Sequence, residues 1–285
     1  MKEKKQLFKA KDHLVSGIDF TVWWIESKGF GYTELPEGTN LEAHYDAEEY
    51  ISHKQKPHKF LDILYGTIRK FMLLYKYSII KTIDKNKSIL DIGAGVGSFA
   101  LFVQKKGFDV IAIEPNAKAR EICQKKGINT YESIKYISKN ILFSVVSLWH
   151  VFEHLPDLKT SLRGFSKHLK SDGKLVIAVP NIKSHDACYY KSHWAALDVP
   201  RHLWHFSSKG LVDLVEEQGF VFASSHPLWF DSFYVSYLSE KHQGNNFSFI
   251  RGMAIGLYSN LKAFFNQEYS SKAYVFKKKL SSREI

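Results

Sequence analysis

Ser88-Ile89-Leu90-Asp91-Ile92-Gly93-Ala94-Gly95-Val96-Gly97-Ser98 is the stretch on which the fold of this chain turns. Its first five residues are a short apolar run of strand length, and the alternate glycines that follow mark a sharp turn into a helix. Glycine there allows tight backbone geometry and lets a ligand come close to the main chain at the carboxyl edge of a sheet. The pattern then repeats. Asp109-Val110-Ile111-Ala112-Ile113 reads as the next strand, with further strands at Phe143 to Leu148 and Lys174 to Val179, and helical stretches between. The helix between the last two is expected to open at Pro156 and to close near Gly173. Continuous apolar strands alternating with helices imply a parallel sheet covered on both faces, a doubly wound α/β fold.

Working outward, Phe60, Leu61, Leu64, Ile68, Phe71, Met72, Tyr75, Ile79 and Ile83 recur mostly at three- and four-residue spacing. This predicts one or two amphipathic helices over residues 58–83, covering the sheet or the mouth of the site. The polar run Asp84-Lys85-Asn86-Lys87 separates an N-terminal extension, residues 1–84, from the main domain, residues 85–285. Within the extension, residues 13–50 read as short strands and loops. Towards the C-terminus, a helix from Ser208 to Gln218 precedes a strand at Phe220 to Ala223, and a last strand is expected at Ala273 to Phe276. An insertion at 230–271 lies between them, with helices predicted at Phe233 to Glu240 and Phe249 to Phe265.

Composition excludes several classes. The 285 residues are 45% hydrophobic and 24% charged, as in an ordinary globular protein. No run of about 18 apolar residues is present, and the basic start Met1 to Lys5 leads into no apolar signal core. Two cysteines, Cys123 and Cys188, are too few for a disulfide framework or a zinc cluster, so a reducing, cytoplasmic setting is expected. The net charge of +11 favours anionic partners without choosing among them, and much of it lies in the tails.

Glu114 ends the strand after the glycine turn, where a carboxylate can accept hydrogen bonds from both ribose hydroxyls of an adenosine. A dinucleotide loop needs G-x-G-x-x-G to seat a pyrophosphate, but Ser98 stands at the last glycine position. Asp91 beside a pyrophosphate would be repulsive, whereas it suits a ligand carrying an ammonium and a sulfonium. The residues therefore favour S-adenosylmethionine over a nicotinamide dinucleotide.

Ile89 to Gly97 resembles motif I of the class I S-adenosylmethionine-dependent methyltransferases, and Ile113-Glu114-Pro115 resembles their acidic ribose motif. Phe143 to Asp157 and Gly173 to Asn181 resemble the fourth- and fifth-strand segments, and Asp198 to His202 a segment of a bacterial small-molecule branch. The resemblance implies a seven-stranded, mostly parallel Rossmann-like sheet, with S-adenosyl-L-methionine as donor and S-adenosyl-L-homocysteine as product. It implies that Asp91, Gly93, Ala94, Gly95 and Gly97 line the methionine side, that Glu114 with Pro115 holds the ribose, and that Ser133 and Ile134 flank the adenine. Leu148, Trp149 and His150 would close the pocket near the sulfonium. Ser144 departs from the family, which often has Asp there.

On the acceptor side, His150, Glu153 and His154 have the spacing of one helical face, and His150 is the candidate base or acceptor-positioning group. A related ubiquinone-biosynthesis group places a divalent metal on Glu-x-x-Glu-His, but His150 replaces the first glutamate, and no metal is assigned. Arg201 is a candidate anion clamp and His202 a second candidate base. The segment before residue 32 resembles a module with a zinc-binding C-x-x-C-G turn, here degenerate because Ile25 and Lys28 stand at the cysteine positions before Gly29. Aromatic packing by Trp23, Trp24, Phe30 and Tyr32 is expected instead, with no structural zinc. The function read from all this is methyl transfer to O or C of a small metabolite, such as a sugar, a polysaccharide precursor or a quinone-like acceptor. An RNA or protein methyltransferase and a non-catalytic donor-binding protein are the alternatives. The 230–271 insertion reads as a lid or subunit interface ahead of a membrane contact.

Overall fold

The computed structural model describes residues 4–44, 59–81 and 87–279. The boundary expected at residues 84–87 falls almost wholly outside them. The chain opens with an antiparallel meander, β1 (Lys4–Lys11), β2 (Asp19–Ile25) and β3 (Phe30–Thr33). In β2 the alternation of a strand buried on one face puts Phe20, Val22 and Trp24 in a core and leaves their neighbours outside. Ile25 and Lys28 flank the turn into β3, which is closed by the Gly29 N–H donating to Ile25 O at 3.0 Å. Gly29 has φ of 65° and lies against Gly210, where an added Cβ would fall 2.0 Å from Gly29 O. Two glycines thus allow backbone-to-backbone contact at this point.

The long helix α1 (Lys59–Ile80) leads to β4 (Ser88–Ile92), α2 (Ser98–Gln104), β5 (Asp109–Ile113), α3 (Ala117–Lys125) and β6 (Asn129–Tyr131). Next come β7 (Phe143–Trp149), α4 (Leu158–Lys167), β8 (Leu169–Pro180) and α5 (His185–Tyr190). β9 (Trp204–Phe206) joins the N-terminal sheet, whose order is β1-β2-β3-β9. The extension is therefore not separate, because its fourth strand comes from residues beyond 200. Trp204 packs on Phe30 at 6.0 Å and Tyr32 at 6.5 Å between ring centroids.

α6 (Ser208–Glu216), β10 (Phe220–Pro227), α7 (Trp229–His242), α8 (Ser248–Asn266) and β11 (Ser271–Lys278) complete the chain. The main sheet has seven strands in the order β10-β11-β8-β7-β4-β5-β6, and β11 runs against both its neighbours. β4, β5, β7 and β8 each contribute side chains to two apolar cores, one per face, as a doubly wound sheet requires. Side-chain caps set several helix starts: Asn116 accepts from Ala119 N–H, Asp157 from Thr160 N–H and Ser207 from Gly210 N–H. α4 ends at Lys167 rather than near Gly173, because buried Leu169 already pairs with Phe143 and starts β8. Both cysteines are free, Cys123 buried and Cys188 exposed. No helix among the described residues is long and apolar enough to cross a membrane.

Candidate active site

From β4 the chain winds one way to β5 and β6, then returns to lay β7 and β8 on the other side. The crevice beyond the carboxyl ends of β4 and β7 is the switch point at which open α/β sheets bind ligands. A cavity of about 290 Å³ lies there. One wall is Asp91, Gly93, Ala94 and Gly95, and Trp149 at the end of β7 borders it. Arg69, Met72, Leu73 and Lys76 close it from α1, one helical face at i, i+3, i+4 and i+7. The sequence placed a covering helix here but singled out neither Arg69 nor Lys76 as a site residue. Their helical register with Met72 was the available signal.

The glycine loop is held by its own backbone and by Glu114. Gly93 and Ala94 donate their N–H groups to Ile113 O, Gly97 donates to Ala94 O, and Gly95 donates to Glu114 Oε2 at 2.7 Å. Those four amides are spent inside the fold. At Gly93 an added Cβ would meet Val151 at 2.3 Å, while at Gly95 it would meet nothing within 4 Å. Gly95, at φ of 55°, is therefore where the loop leaves open space beside the backbone.

Asp91 is 2% exposed and accepts a hydrogen bond from Ser147 Oγ at 2.7 Å. Burial pushes its pKa up to about 6, against the opposing pull of Ser147 and of the Lys76 ammonium. Lys76 Nζ sits 4.6 Å from the centre of the Trp149 ring, and burial lowers its pKa while Asp231 and Asp91 hold it up. Lys76 thus partly balances Asp91 and Asp231 at the helix side of the cavity. What fits an amino-acid sulfonium is the buried Asp91 carboxylate beside the open backbone at Gly95.

Glu114 ends β5 with its carboxylate accepting from Gly95 N–H and from Asn116 N–H at 2.9 Å. One lone pair on each oxygen is left for a diol. Burial raises its pKa, opposed by those two amides. Pro115 follows it, with its carbonyl accepting from Arg120. Ser133 caps the short turn Ile134–Tyr136 just beyond β6, on the same side of the sheet as Glu114, whose N–H donates to Tyr131 O. Leu148 is fully buried in the sheet core, and the Trp149 indole N–H is buried without a hydrogen-bond partner.

His150 follows Trp149 at φ of 57°, a left-handed conformation that aims it away from the strand line. Its Nε2 lies 3.0 Å from Asp231 Oδ2 on α7, and its Nδ1 lies 3.4 Å from Glu153 Oε1. Burial opposes its charge, but the hydrogen bonds to Asp231 and Glu153 prevail and push its pKa up to about 9. Asp231 and Glu153 thus favour its protonated form. Asp231 is a site residue the sequence did not single out, because it comes from the insertion.

Arg201 and His202 lie elsewhere. The Arg201 guanidinium is buried, chelating Asp198 through Nε and Nη2 and reaching Asp12 Oδ1 at 3.2 Å and His44 O at 3.2 Å. The expected anion clamp is thus an internal tie, since an acceptor would have to displace these partners. His202 is buried as well, its Nδ1 2.9 Å from Ala196 O and its Nε2 3.9 Å from Glu153 Oε1. His154 Nδ1 is 2.9 Å from Arg201 O, and burial pulls its pKa down to about 4. Glu153, His154 and His202 bring ligand atoms within 4.8 Å of one another, a spacing a metal ion could use. The Glu153 carboxylate lies 3.4 Å from His150 Nδ1, and both its oxygens are buried without a hydrogen-bond partner.

A methyltransferase-domain family model matches residues 65–225, more than half of the chain. A ubiquinone biosynthesis O-methyltransferase of Aliivibrio fischeri is 26% identical over 110 residues, 35% of this chain and 47% of that protein. A protein of the same name from Pectobacterium carotovorum is 22% identical over 104 residues, 33% and 44% of the two chains. The chain thus matches less than half the length of these curated relatives. Geranyl diphosphate C-methyltransferase from Streptomyces coelicolor, solved with Mg2+, geranyl diphosphate and S-adenosyl-L-homocysteine, superposes with a TM-score of 0.54 at 10% identity, covering 82% of this chain and 86% of that one. At that identity the likeness speaks for the fold. Together with the family match and a crevice suited to a sulfonium amino acid, it establishes that the chain belongs to the S-adenosylmethionine-dependent methyltransferase-domain family.

Proposed function

We propose that this chain transfers a methyl group from S-adenosylmethionine to an oxygen or carbon atom of a small-molecule acceptor in the cytoplasm. The observation that carries the reading is the cavity at the switch point, with buried Asp91 on one side and the Glu114 carboxylate behind Gly95. The curated relatives, named for ubiquinone biosynthesis, favour oxygen as the atom methylated. When bound, the donor supplies an activated methyl group in line with the acceptor atom.

In this reading Glu114 takes the two ribose hydroxyls and Asp91 balances the donor's positive charge. Gly93, Ala94, Gly95 and Gly97 leave room for its methionine part, and Ser133 and Ile134 border its adenine. Leu148 and Trp149 exclude water behind the reacting centre. His150, held by Asp231 and Glu153, positions an acceptor oxygen by donating a hydrogen bond rather than by removing its proton. Glu153, His154, Arg201 and His202 keep the loop over the site in place.

Titration calorimetry with S-adenosylhomocysteine and transfer of labelled methyl from the donor to candidate quinols and sugars test the assignment. Glu114→Ala is expected to weaken product binding by about tenfold to a hundredfold, the cost of one charge-assisted diol contact. His150→Gln is expected to lower kcat with little change in donor affinity. In the wild type kcat should fall as pH rises through about 9, where the imidazolium loses its proton. Absence of binding by the wild type would refute the proposal.

A further inference from the structure

α7 and α8 form an antiparallel hairpin whose packing reverses the usual order of a soluble protein. The buried residues of α8 are small, Gly252, Gly256, Ser259 and Ala263, and the two glycines face α7. α7 meets them with Ser232 and Ser236. The backbones nearly touch: a Cβ on Gly252 would fall 2.5 Å from Tyr237 Cα, and one on Gly256 2.8 Å from Phe233 Cα. Ser232 Oγ donates across the pair to Gly256 O at 3.1 Å. Small residues inside and a hydroxyl bonded across the interface follow the packing rule of helices in lipid.

The large apolar residues of α8 and the residue that precedes it point to water. Phe265 is 86% exposed, Phe264 69%, Ile250 68% and Phe247 68%, with Leu257 and Leu261 each more than half exposed. At 100° per residue, positions 250, 257, 261, 264 and 265 fall on one side of a helix about 28 Å long. Lys241, Arg251 and Lys262 are exposed on the same hairpin. Its two carboxylates are withdrawn, Asp231 against His150 and Glu240 buried under Tyr190 and Asn245. Arg251 is paired with Glu240 at 3.4 Å, which leaves Lys241 and Lys262 as the exposed charges beside the apolar stripe, a pattern that complements an anionic lipid surface. A second copy would set the same cations against each other in a chain of net charge +11.

We propose that the outer face of α8 docks on an anionic lipid bilayer, lying in the interface without crossing it. The site is distinct from the methyl-transfer cavity, so it stands or falls apart from the function proposed above. Cosedimentation of the full chain with vesicles of phosphatidylcholine plus phosphatidylglycerol, compared with phosphatidylcholine alone, tests it. Binding is expected to the anionic vesicles and to weaken with added salt. Phe264→Ser combined with Phe265→Ser should lower it by about tenfold or more, and Lys241→Glu with Lys262→Glu should abolish the preference for anionic lipid. These side chains are exposed, so S-adenosylhomocysteine affinity and thermal midpoint should not change. Failure to bind, or equal binding by wild type and the phenylalanine variant, overturns the proposal. So does a concentration-dependent dimer in sedimentation that the phenylalanine variant dissolves while vesicles bind neither form.

Discussion

Asp91 shows how a single residue trades stability for binding. Its pKa is raised to about 6 from the ordinary carboxylate value of 3.8. A carboxylate with a raised folded-state pKa costs stability above that pKa, and the cost vanishes below the unfolded value. Two units amount to roughly 3 kcal/mol at neutral pH. Asp91→Asn is therefore expected to raise the melting temperature near pH 7 and to leave it unchanged at strongly acid pH. The same variant should weaken binding of the cationic donor, and wild-type affinity should fall as pH drops through about 6 while the variant's stays flat. Calorimetry at several pH values, beside thermal unfolding, checks both signs. A variant less stable at neutral pH would show that Asp91 is compensated by its neighbours in the free protein.

At the scale of elements, α1 and the α7–α8 hairpin contribute what the strand-and-glycine core lacks. α1 lends the cavity a face with Lys76 on it, and α7 lends Asp231 to His150. The hairpin depends on glycine for its contact distance: no side chain fits at 252 or 256 without separating the helices. Gly256→Val should cost about 1 to 3 kcal/mol through overpacking, with faster amide exchange in α7 and α8 than in β4. The shift should also loosen Asp231 from His150 and lower the kcat inflection from about 9. Hydrogen exchange and urea unfolding measure the first effect, and a pH–rate profile the second.

Across the whole molecule, Arg201 joins the N-terminal sheet to the loop after α5. It binds Asp198 and Asp12 together, and both carboxyls are held below their ordinary value, Asp12 far below it. Burial works against both charges. For Asp12, the Ser16 amide, the His44 side chain and Arg201 outweigh it; for Asp198, His202 and Arg201 do so. A depressed carboxylate contributes stability above its unfolded pKa and loses it as pH falls through the folded value. Arg201→Met leaves the buried Asp12 short of a cation and should cost about 3 to 5 kcal/mol. Acid unfolding should then begin at higher pH than in the wild type, followed by circular dichroism, with proteolysis appearing first near β1.

The sequence by itself determined the sheet, the glycine turn and Glu114. Those signals are local: apolar runs, glycines at a strand end, and a carboxylate one strand further on suffice to mark them. The α8 helix was legible too, since its apolar residues fall at helical spacing, but that spacing could not say which face would be buried. Only the tertiary structure decided the rest, because it depends on residues far apart in the chain. Asp231 meets His150 across 81 positions and Arg201 meets Asp12 across 189. These long-range pairings set His150 between two carboxylates and tie Arg201 inside the fold, and the close fit of glycine and serine turned the phenylalanines of α8 outward.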